Sequence, residues 1–406
     1  MNELYKLPNG WEWKIFDDVL VLIQNGISDT QNDDGVGYPI SRIETIQNET
    51  LDSNRIKYVN INDDSTIEKY RYDYGDLLFS HINSFEKVGK VCLYTNQIDN
   101  LLHGVNLLRM KFVNDLDSKF IFYYLISNIS RRFYEPHIKK AINQASINQK
   151  NIKSISIPVP PLSEQKRIVS KLDLLFKKID KSIELHQKNM DEANAFMGSV
   201  LNEIFEEMDG QYKKEKLEKF DRKMSAGGTP LRAKNEYWDN GTIEWFSSGE
   251  LNQQFTLPAK ERITNEGLKN SSAKLFSKGT LLMGMYDTAA MKMSILHTDA
   301  SCNQAIVGIK PNEDELNIFF LKYQLEYLKP KILEERQGVR QQNLNLSKIK
   351  NVEIEFPNID IQIKVVEYLD SISEKMEKVK TIQKEKMESL KALKASILDK
   401  AFRGEL

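Results

Sequence analysis

The chain has 406 residues, and 57 Lys and Arg stand against 58 Asp and Glu, so its net charge at pH 7 is −1. This balance excludes a uniformly basic nucleic-acid coat, although it permits local basic stripes. The two cysteines, Cys92 and Cys302, form no CxxC motif, which disfavours a disulfide framework or a zinc site and predicts a reducing, cytoplasmic compartment.

The start of the chain, MNELYKLPNGWEWKIFDD, has neither a basic beginning nor an apolar stretch typical of a signal peptide. No apolar run reaches the length of about 18 residues that a membrane helix needs. We therefore expect a soluble chain that is not exported.

One long segment occurs twice, 197 residues apart and without a gap. The recurring residues are Asn148, Ile152, Lys153, Ile157, Pro160, Gln165, Val169, Leu172, Asp173, Ser199, Leu201 and Phe205, each matched by the same residue 197 positions later. This period is far longer than that of solenoid repeats, so each copy is large enough to bury its own core. The sequence predicts two copies of one unit, each a globular part followed by a helix.

The globular part of the first copy consists of short apolar runs, such as Leu77–Ser80, separated by Gly, Asn and Asp. The alternating apolar residues from Ile152 to Val159 predict an edge strand, which Pro160 and Pro161 end. Ser163 is then the predicted N-cap of a long helix. The predicted boundaries are 1–159 for the first globular domain, 160–209 for the first long helix, 210–357 for the second globular domain and 358–406 for the second long helix.

Apolar residues recur at spacings of three and four along both predicted long helices, which indicates one apolar stripe on each. The predicted interface residues are Ile168, Leu172, Leu175, Ile179 and Met197 on the first helix, and Val365, Leu369, Ile372, Met376 and Leu390 on the second. A helix of 40 to 45 residues is about 60 Å long. Such a helix needs a partner along most of its length, and the other copy is the simplest one.

No sequence motif for catalysis or for cofactor binding is present. The chain lacks a GxxxxGK[ST] phosphate loop, an NPPY or DPPF box of the amino-methyltransferase type, and an HExxH motif. Its five histidines are dispersed along the chain. The sequence therefore predicts no catalytic residue, no metal site and no cofactor on this chain.

Basic and amide side chains cluster in corresponding segments of the two copies. The candidate DNA-binding residues there are Arg131, Arg132, Lys139 and Lys140 in the first copy, and Arg336, Arg340, Gln341 and Gln342 in the second. Basic groups neutralise phosphates, and Arg, Asn and Gln match the edges of guanine and adenine. A solvated helix face followed by a polar loop explains either segment alone, but recurrence in both copies favours DNA.

Other loops supply further candidates for DNA contacts. They are Arg42, Asn83, Lys87 and Lys90 in the first copy, and Arg232, Lys234, Tyr286 and Lys292 in the second. Taken singly, each is better explained as an ordinary surface residue. The GGTP sequence at Gly227–Pro230 predicts a tight turn that could bring backbone close to a phosphate group.

Three sequence features together resemble one known family over essentially the whole chain. They are NIKSISIPVPPLSEQKRIVSKLD with its echo KIKNVEIEFPNIDIQIKVVEYLD, the SAGGTP turn, and the ending LKASILDKAFRGEL. They resemble the specificity subunit of type I restriction-modification systems. The resemblance implies a DNA-binding subunit without catalytic residues, whose two target-recognition domains each read one half of a bipartite double-stranded DNA site.

The resemblance also implies partners. Two modification subunits that carry S-adenosylmethionine would methylate adenine in each half-site, and restriction subunits would add translocation and cleavage driven by ATP and Mg. The alternative that the residues leave open is a structural adaptor, in which a coiled coil joins protein partners and the globular ends bind protein.

The expected fold is of the α/β (α+β) class. Two globular target-recognition domains of one fold are joined by two long helices that pack as an antiparallel coiled coil with pseudo-two-fold symmetry. Tandem copies can achieve that symmetry only if the helices run antiparallel. The N-terminus of the first domain should then lie close to the end of the last helix.

Overall fold

The structure, a computed structural model, describes residues 5–142, 144–334 and 344–406. The chain forms two units, of which the first comprises Met1–Gln187 together with Lys384–Leu406 and the second comprises Lys188–Gln383. The two ends of the chain therefore belong to one unit, whereas the other unit is a continuous stretch.

The first unit contains short strands and mostly short helices. Its strands are β1 (Glu12–Ile15), β2 (Leu20–Asn25), β3 (Gln31–Asn32), β4 (Tyr38–Ser41), β5 (Ile46–Gln47), β6 (Thr50–Leu51), β7 (Lys57–Val59), β8 (Leu77–Ser80), β9 (Ile82–Asn83), β10 (Val91–Leu93), β11 (Leu102–His103), β12 (Leu107–Phe112), β13 (Lys139–Ala141), β14 (Gln144–Ser146) and β15 (Ser156–Val159). Its helices are α1 (Phe16–Val19), α2 (Asp64–Tyr70), α3 (Ser118–Leu125), α4 (Asn128–Tyr134), α5 (Gln149–Lys153) and the first half of α6 (Leu162–Met208).

The second unit begins within α6 and repeats the same kinds of element. Its strands are β16 (Lys214–Lys216), β17 (Ser225–Ala226), β18 (Ile243–Phe246), β19 (Glu261–Ile263), β20 (Leu281–Gly284), β21 (Met293–Ile295), β22 (Ala300–Cys302), β23 (Ile306–Ile309) and β24 (Glu353–Glu355). Its helices are α7 (Asn265–Lys269), α8 (Ile318–Glu334), α9 (Leu346–Lys350) and the first part of α10 (Ile359–Arg403). The last part of α10 belongs to the first unit.

Both units are built on the same sheets. An antiparallel sheet of order β10-β8-β12-β2 in the first unit has the counterpart β21-β20-β23-β17 in the second. A second sheet, β11-β4-β7-β3, contains a parallel β11–β4 pair, and β22-β18-β19 repeats it with a parallel β22–β18 pair. A two-stranded sheet pairs β1 with β15, and β16 with β24. The predicted α+β class and duplication of one fold are confirmed.

The central strand of each main sheet is apolar along its whole length because it borders two cores. Leu77 and Phe79 of β8 face the large core under α3, whereas Leu78 faces a smaller core on the opposite side. In β20, Leu281 and Leu282 divide in the same way. A strand buried on both faces needs apolar residues at successive positions, which explains runs that do not alternate.

In the first unit the start of α6 packs antiparallel to the end of α10. Lys394 Nζ lies 3.2 Å from Asp180 Oδ1, and the Arg167 guanidinium donates to the carbonyl of Leu406 at 2.8 Å. Tyr5 Oη donates to the carbonyl of Phe402 at 2.5 Å. The expected closeness of the N-terminal segment to the end of the last helix is therefore present.

In the second unit the end of α6 packs antiparallel to the start of α10. Lys380 Nζ donates to Asn194 Oδ1 at 3.1 Å, and Asn189 Nδ2 donates to Gln383 Oε1 at 3.5 Å. The antiparallel arrangement predicted from the sequence is thus found within each unit.

The predicted interface residues lie against the large core of their unit, with one exception. Ile168, Leu172, Leu175, Ile179 and Leu390 belong to or pack against the first core, and Met197, Val365, Leu369 and Ile372 do so in the second. Met376 is half-buried outside both cores. The apolar stripes therefore pack against the globular domains as well as against the neighbouring long helix.

The recurring glutamine of the duplicated segment ties each long helix to its globular domain. Gln165 is 1% exposed; its Oε1 accepts from the amide of Asp117 at 2.8 Å, and its Nε2 donates to the carbonyls of Asp115 and Pro160 at 3.1 and 2.9 Å. Gln362 makes the same three hydrogen bonds, at 2.8, 3.0 and 2.8 Å. The partners of Gln362 are the amide of Asn317 and the carbonyls of Glu315 and Pro357.

The local structure at the start of the first long helix differs from the prediction. Ile152 lies in α5, which Asn148 caps by accepting from the amide of Asn151, so the strand begins only at Ser156. Ser163 is not the N-cap, because α6 begins at Leu162 and the carbonyl of Pro161 accepts the amides of Glu164 and Gln165. A proline lacks an amide hydrogen but still accepts through its carbonyl, so Pro161 can open the helix.

A fully buried histidine makes the stability of the first unit sensitive to acid. The ring nitrogens of His103 lie 3.2 and 3.3 Å from the carbonyl oxygens of Tyr70 and Gln24, and burial lowers the pKa of His103 from 6.5 to about 4. The unfolded chain therefore takes up the proton more readily than the folded one. Stability is complete above pH 6.5 and declines below it by about 1.4 kcal/mol per pH unit, or about 2 kcal/mol by pH 5.

Urea unfolding of the first unit at pH 7.5 and pH 5, compared between the wild type and His103→Gln, measures this loss. We expect the variant to lose about 2 kcal/mol less over that range. Equal losses in the two proteins would contradict the assignment of the acid sensitivity to His103.

Candidate nucleic-acid interface

A projecting β-hairpin brings together three of the residues predicted from the first copy. Strands β13 and β14 form this hairpin, and β14 pairs with β9, so that Lys140, Ala145 and Asn83 lie side by side across three strands. Lys139 and Lys140 are exposed, and Ile142 at the tip is 93% exposed. A two-stranded ribbon of this kind has the width that the major groove of DNA admits.

Asn83 has its side chain engaged within the loop. Its Nδ2 donates to Ser80 Oγ at 3.1 Å, and its Oδ1 accepts from the amide of Ser84 at 2.9 Å. These bonds fix the turn that leads into the 3₁₀ segment Phe85–Lys87. Asn83 therefore supports the shape of the loop beside the hairpin.

An open groove of about 640 Å³ lies beside the hairpin. Its lining residues are Phe85, Asn128, Arg131, Arg132, Glu135, Pro136, Ile138 and Lys140. Lys140 Nζ lies 3.7 Å from the centre of the Phe85 ring, and Arg131 Nε lies 2.5 Å from Glu135 Oε2. Three cations against one carboxylate, with an aromatic wall, suit contact with a phosphate backbone and with bases.

Positive charge also gathers at the far end of this loop. Burial lowers the pKa of Lys90, and the charges of Lys87 and Arg55 lower it further. Lys90 Nζ donates to the carbonyl of Ile46 at 3.4 Å. Arg42, by contrast, is not among the residues that line the groove, and its guanidinium pairs with Glu44 at 3.3 Å.

The second unit contains the equivalent loop. The amide of Gly284 donates to the carbonyl of Lys292 at 2.9 Å. In the first unit, the amide of Ser80 donates to the carbonyl of Lys90 at 2.8 Å. Lys292 therefore corresponds to Lys90. Lys292 Nζ donates to Asn252 Oδ1 at 3.2 Å. Tyr286, in the same loop, is half-buried against the second core. One basic residue therefore occupies the same place in both copies.

Arg232 and Lys234 are held within the second unit. The Arg232 guanidinium donates to both carboxylate oxygens of Glu261 at 2.5 and 2.9 Å and stacks 3.8 Å from the ring centre of Trp238. This arginine also lowers the pKa of Glu261. Lys234 Nζ donates to Tyr237 Oη at 3.1 Å. These contacts stabilise a loop, and neither side chain has its donors wholly free.

The two glycine amides of the GGTP turn are bonded within the fold and are not directed at a phosphate group, contrary to the expectation. The amides of Gly227 and Gly228 donate to the carbonyls of Ile306 and Cys302 at 3.0 and 2.9 Å. A Cβ at Gly228 would stand 2.2 Å from the carbonyl oxygen of Ser272. Glycine is required here because two backbone segments approach closely.

Arg336, Arg340, Gln341 and Gln342 lie outside the described residues. The prediction for these four residues stays a prediction.

Sequence reasoning missed two residues of the candidate interface, Phe85 and Ile142. Each is a single apolar residue in a polar stretch, which singly carries no functional signal. The short, mostly polar sequence from Lys139 to Ser146 was the signal that could have identified the hairpin.

Metal-binding and membrane-spanning features are not found in the part of the chain that the structure describes. Among those residues, no group of three or more His, Cys, Asp or Glu side chains is placed to hold a metal ion. Within the same ranges, no helix combines the length and the apolar character needed to cross a membrane.

The sequence matches the family described as the type I restriction modification DNA specificity domain over residues 8–193 and 222–386. It is 31% identical over 407 residues to the putative type I restriction enzyme MjaX specificity subunit of Methanocaldococcus jannaschii. This match covers 96% of this chain and 93% of that protein. It is 32% identical over 205 residues to the EcoKI specificity subunit of Escherichia coli, covering 49% of this chain and 44% of that protein.

Solved structures share the fold. A chain solved in work on complex assembly and conformational transition of the type I restriction-modification system has a TM-score of 0.75 at 20% identity, covering 99% of this chain and 100% of that one. The HsdS subunit of Thermoanaerobacter tengcongensis has a TM-score of 0.53 at 21% identity, covering 99% of each chain. The resemblance seen in the sequence is confirmed: the chain belongs to the type I restriction-modification specificity family, as a DNA-recognition subunit without catalytic activity of its own.

Proposed function

We propose that the chain directs a type I restriction-modification complex to a bipartite DNA target, each unit reading one half. In this proposal residues 1–159 and 210–357 are the target-recognition domains, and residues 160–209 and 358–406 are the spacer helices. The observation that carries the proposal is one framework of sheets present twice with different loops on it. A constant framework with variable loops is the arrangement by which one fold binds two different sequences.

In the first unit, the hairpin of β13 and β14 with the groove beside it is the proposed DNA contact. Lys140 and Arg131 are positioned for phosphates, whereas the exposed hairpin edge is the part that can enter a DNA groove. Each pair of hydrogen bonds to a base edge contributes about 1 to 3 kcal/mol of discrimination. A few such pairs in each unit suffice for a specific target.

Substitution of Lys140 tests the groove. In the assembled complex we expect Lys140→Ala to weaken binding of target DNA roughly tenfold and to reduce the slope of log affinity against log salt by about 1. Fluorescence anisotropy over a salt series measures both quantities. Lys69→Ala on α2 removes the same charge from an exposed site of the same unit outside the groove and should leave both unchanged. Equal effects of the two substitutions would argue against the groove.

Domain exchange tests the proposal as a whole. Residues 1–160 are replaced by the corresponding module of another specificity subunit, and methylated adenines are mapped in DNA treated with the assembled complex. We expect one half-site to change and the other to stay. Methylation of the original sequence in both halves would refute the proposed function.

Two modification subunits are the proposed partners of the helices, one for each unit. Leu185 and Ile382 are 48% and 49% exposed at positions 197 residues apart, and Phe196 and Leu393 are 50% and 48% exposed at the same spacing. The first unit holds Leu185 and Leu393, and the second holds Phe196 and Ile382. From the Lys394–Asp180 contact, Leu393 lies roughly one helical turn from Leu185 along the paired helices. Each unit thus presents an equivalent exposed apolar pair, which suits two copies of one partner.

Charge substitution at these pairs tests the docking. We expect Leu185→Asp to reduce binding of modification subunits to one per chain, and Leu185→Asp with Phe196→Asp to abolish it, because each substitution places a carboxylate in an apolar contact. Light scattering of the purified mixture gives the stoichiometry. Leu174→Asp is the control: Leu174 is 57% exposed, but its counterpart Ser371 is polar. If the double variant still binds two subunits, the helices are docked elsewhere.

The chemistry of such a complex belongs to the partner subunits. S-adenosylmethionine on the modification subunits would supply the methyl group, and ATP and Mg on the restriction subunits would drive translocation and cleavage. We place the complex in the cytoplasm, where the free, buried thiols of Cys92 and Cys302 stay reduced.

A further inference from the structure

A second basic groove lies in the second unit, apart from the loops considered above. It has a volume of about 470 Å³ and is lined by Glu215, Lys216, Glu218, Lys219, Arg222 and Lys350. Strand β16 and the 3₁₀ segment Leu217–Lys219 form one part of its wall, and the end of α9 forms another. Four cations therefore face two carboxylates in an open groove.

Several of these cations are not neutralised. Glu215 is shared by Lys213 and Lys219, at 2.5 and 3.0 Å, and their hydrogen bonds lower its pKa. Across the described ranges 5–142, 144–334 and 344–406, Lys216, Arg222 and Lys350 have no ion-pair partner. With four cations against the carboxylates of Glu215 and Glu218, the groove consequently retains a surplus of positive charge.

The first unit shows that the framework does not require these cations. Lys216 pairs across the sheet with Glu353, and Ile15 pairs with Ser156 in the first unit. Ser156 lies 197 residues before Glu353, so the two pairs are equivalent and Lys216 corresponds to Ile15. Continuing along the chain from this register, Lys219 corresponds to Asp18 and Arg222 to Val21.

The corresponding strip of the first unit carries no surplus of positive charge. Ile15 and Val21 are 41% and 65% exposed. Lys153, the counterpart of Lys350, pairs with Asp17 at 2.9 Å. Two exposed apolar residues and an aspartate thus stand where the second unit has two lysines and an arginine. The positive charge is a property of the second unit and not of the fold.

We infer that this groove is a sequence-independent contact for the phosphate backbone of DNA, held by the second unit alone. The inference rests on the proposed function, which supplies DNA as the polyanion. Lysines and an arginine attract phosphates through their charge, and a phosphate contact carries no sequence information. The two units then contribute unequally: both read sequence, and the second adds salt-dependent affinity.

Charge reversal in the groove tests the inference. Lys216→Glu with Arg222→Glu is prepared in the full chain and assembled with its modification subunits. Two duplexes of equal length serve as probes. One contains the sequence that the complex methylates, and the other lacks this sequence. We expect affinity for both duplexes to fall roughly 10- to 100-fold at low salt, and the slope of log affinity against log salt to decrease by about 2. The methylated sequence should stay the same.

The control is Lys269→Glu with Lys278→Glu, which changes the net charge equally at exposed sites of the same unit outside the groove. A smaller slope for the groove variant than for this control supports the inference, and equal slopes overturn it. Loss of subunit assembly, or weaker DNA binding with an unchanged slope, also overturns it, because the groove would then be a protein contact. If the wild-type complex itself shows no salt-dependent DNA binding, the proposed function fails first.

Discussion

Deletion of residues 384–406 is expected to unfold the first unit and to leave the second unit folded. These residues come after the second unit in the sequence, but Leu398, Ala401 and Phe402 are buried in the core of the first. The Phe402 ring lies 5.2 Å from the rings of both Phe120 and Tyr124. Truncation of the Phe402 side chain alone lowers the free energy of unfolding by about 3 to 5 kcal/mol. Removal of the whole segment should lower it by more than the roughly 5 to 15 kcal/mol that is typical of a whole domain.

Hydrogen exchange measured by mass spectrometry distinguishes the two units in one experiment. Protection should disappear throughout residues 5–187 and persist through 188–383. Point variants provide the matched control: Phe402→Ala should destabilise only the first unit, and Phe205→Ala, at the same place in the repeat, only the second. Retained protection of the first unit after the deletion would show that its core does not depend on α10.

Repeated residues and local patterns could be predicted from the sequence. The 197-residue spacing identified residues that carry the framework, including the buried Gln165, the partly exposed Asp173 and their counterparts. Asp173 Oδ1 accepts from Tyr123 Oη at 2.5 Å, and Asp370 Oδ1 accepts from Tyr323 Oη at 2.6 Å. A residue with the same partners in both copies is subject to the same physical requirement twice, so duplication alone marks it.

Contacts between distant positions could not be predicted in this way. Nothing near Arg232 in the sequence indicates that Glu261, 29 residues later, accepts hydrogen bonds from its guanidinium. Likewise the glycines at 227 and 228 look like a phosphate turn until the carbonyls of Ile306 and Cys302 are known to accept their amides. A basic residue or a glycine pair has the same local pattern whether its partner is a ligand or another loop, so candidate sites are predicted less well than the framework.

The largest effect of a single polar substitution is expected at the two recurring glutamines. Gln165→Leu nearly preserves volume but leaves the amide of Asp117 and the carbonyls of Asp115 and Pro160 without partners. Each buried, unsatisfied backbone group costs about 1 to 3 kcal/mol, so we expect a loss of about 3 to 5 kcal/mol. The loss includes a cap, because Asp117 accepts the amides at the start of α3.

Gln362→Leu should destabilise the second unit by a similar amount, since Asn317 caps α8 as Asp117 caps α3. Urea unfolding with hydrogen exchange assigns each loss to its unit. Gln149→Leu is the control. The side chain of the half-buried Gln149 donates to Asn25 Oδ1 at 3.0 Å in a bond that is exposed to solvent, and its removal should cost less than about 0.5 kcal/mol. If either glutamine variant is no less stable than this control, the three hydrogen bonds do not stabilise the attachment of the long helix to its own domain. If the two losses are equal and confined to their own units, the duplicated segment acts as one structural device used twice.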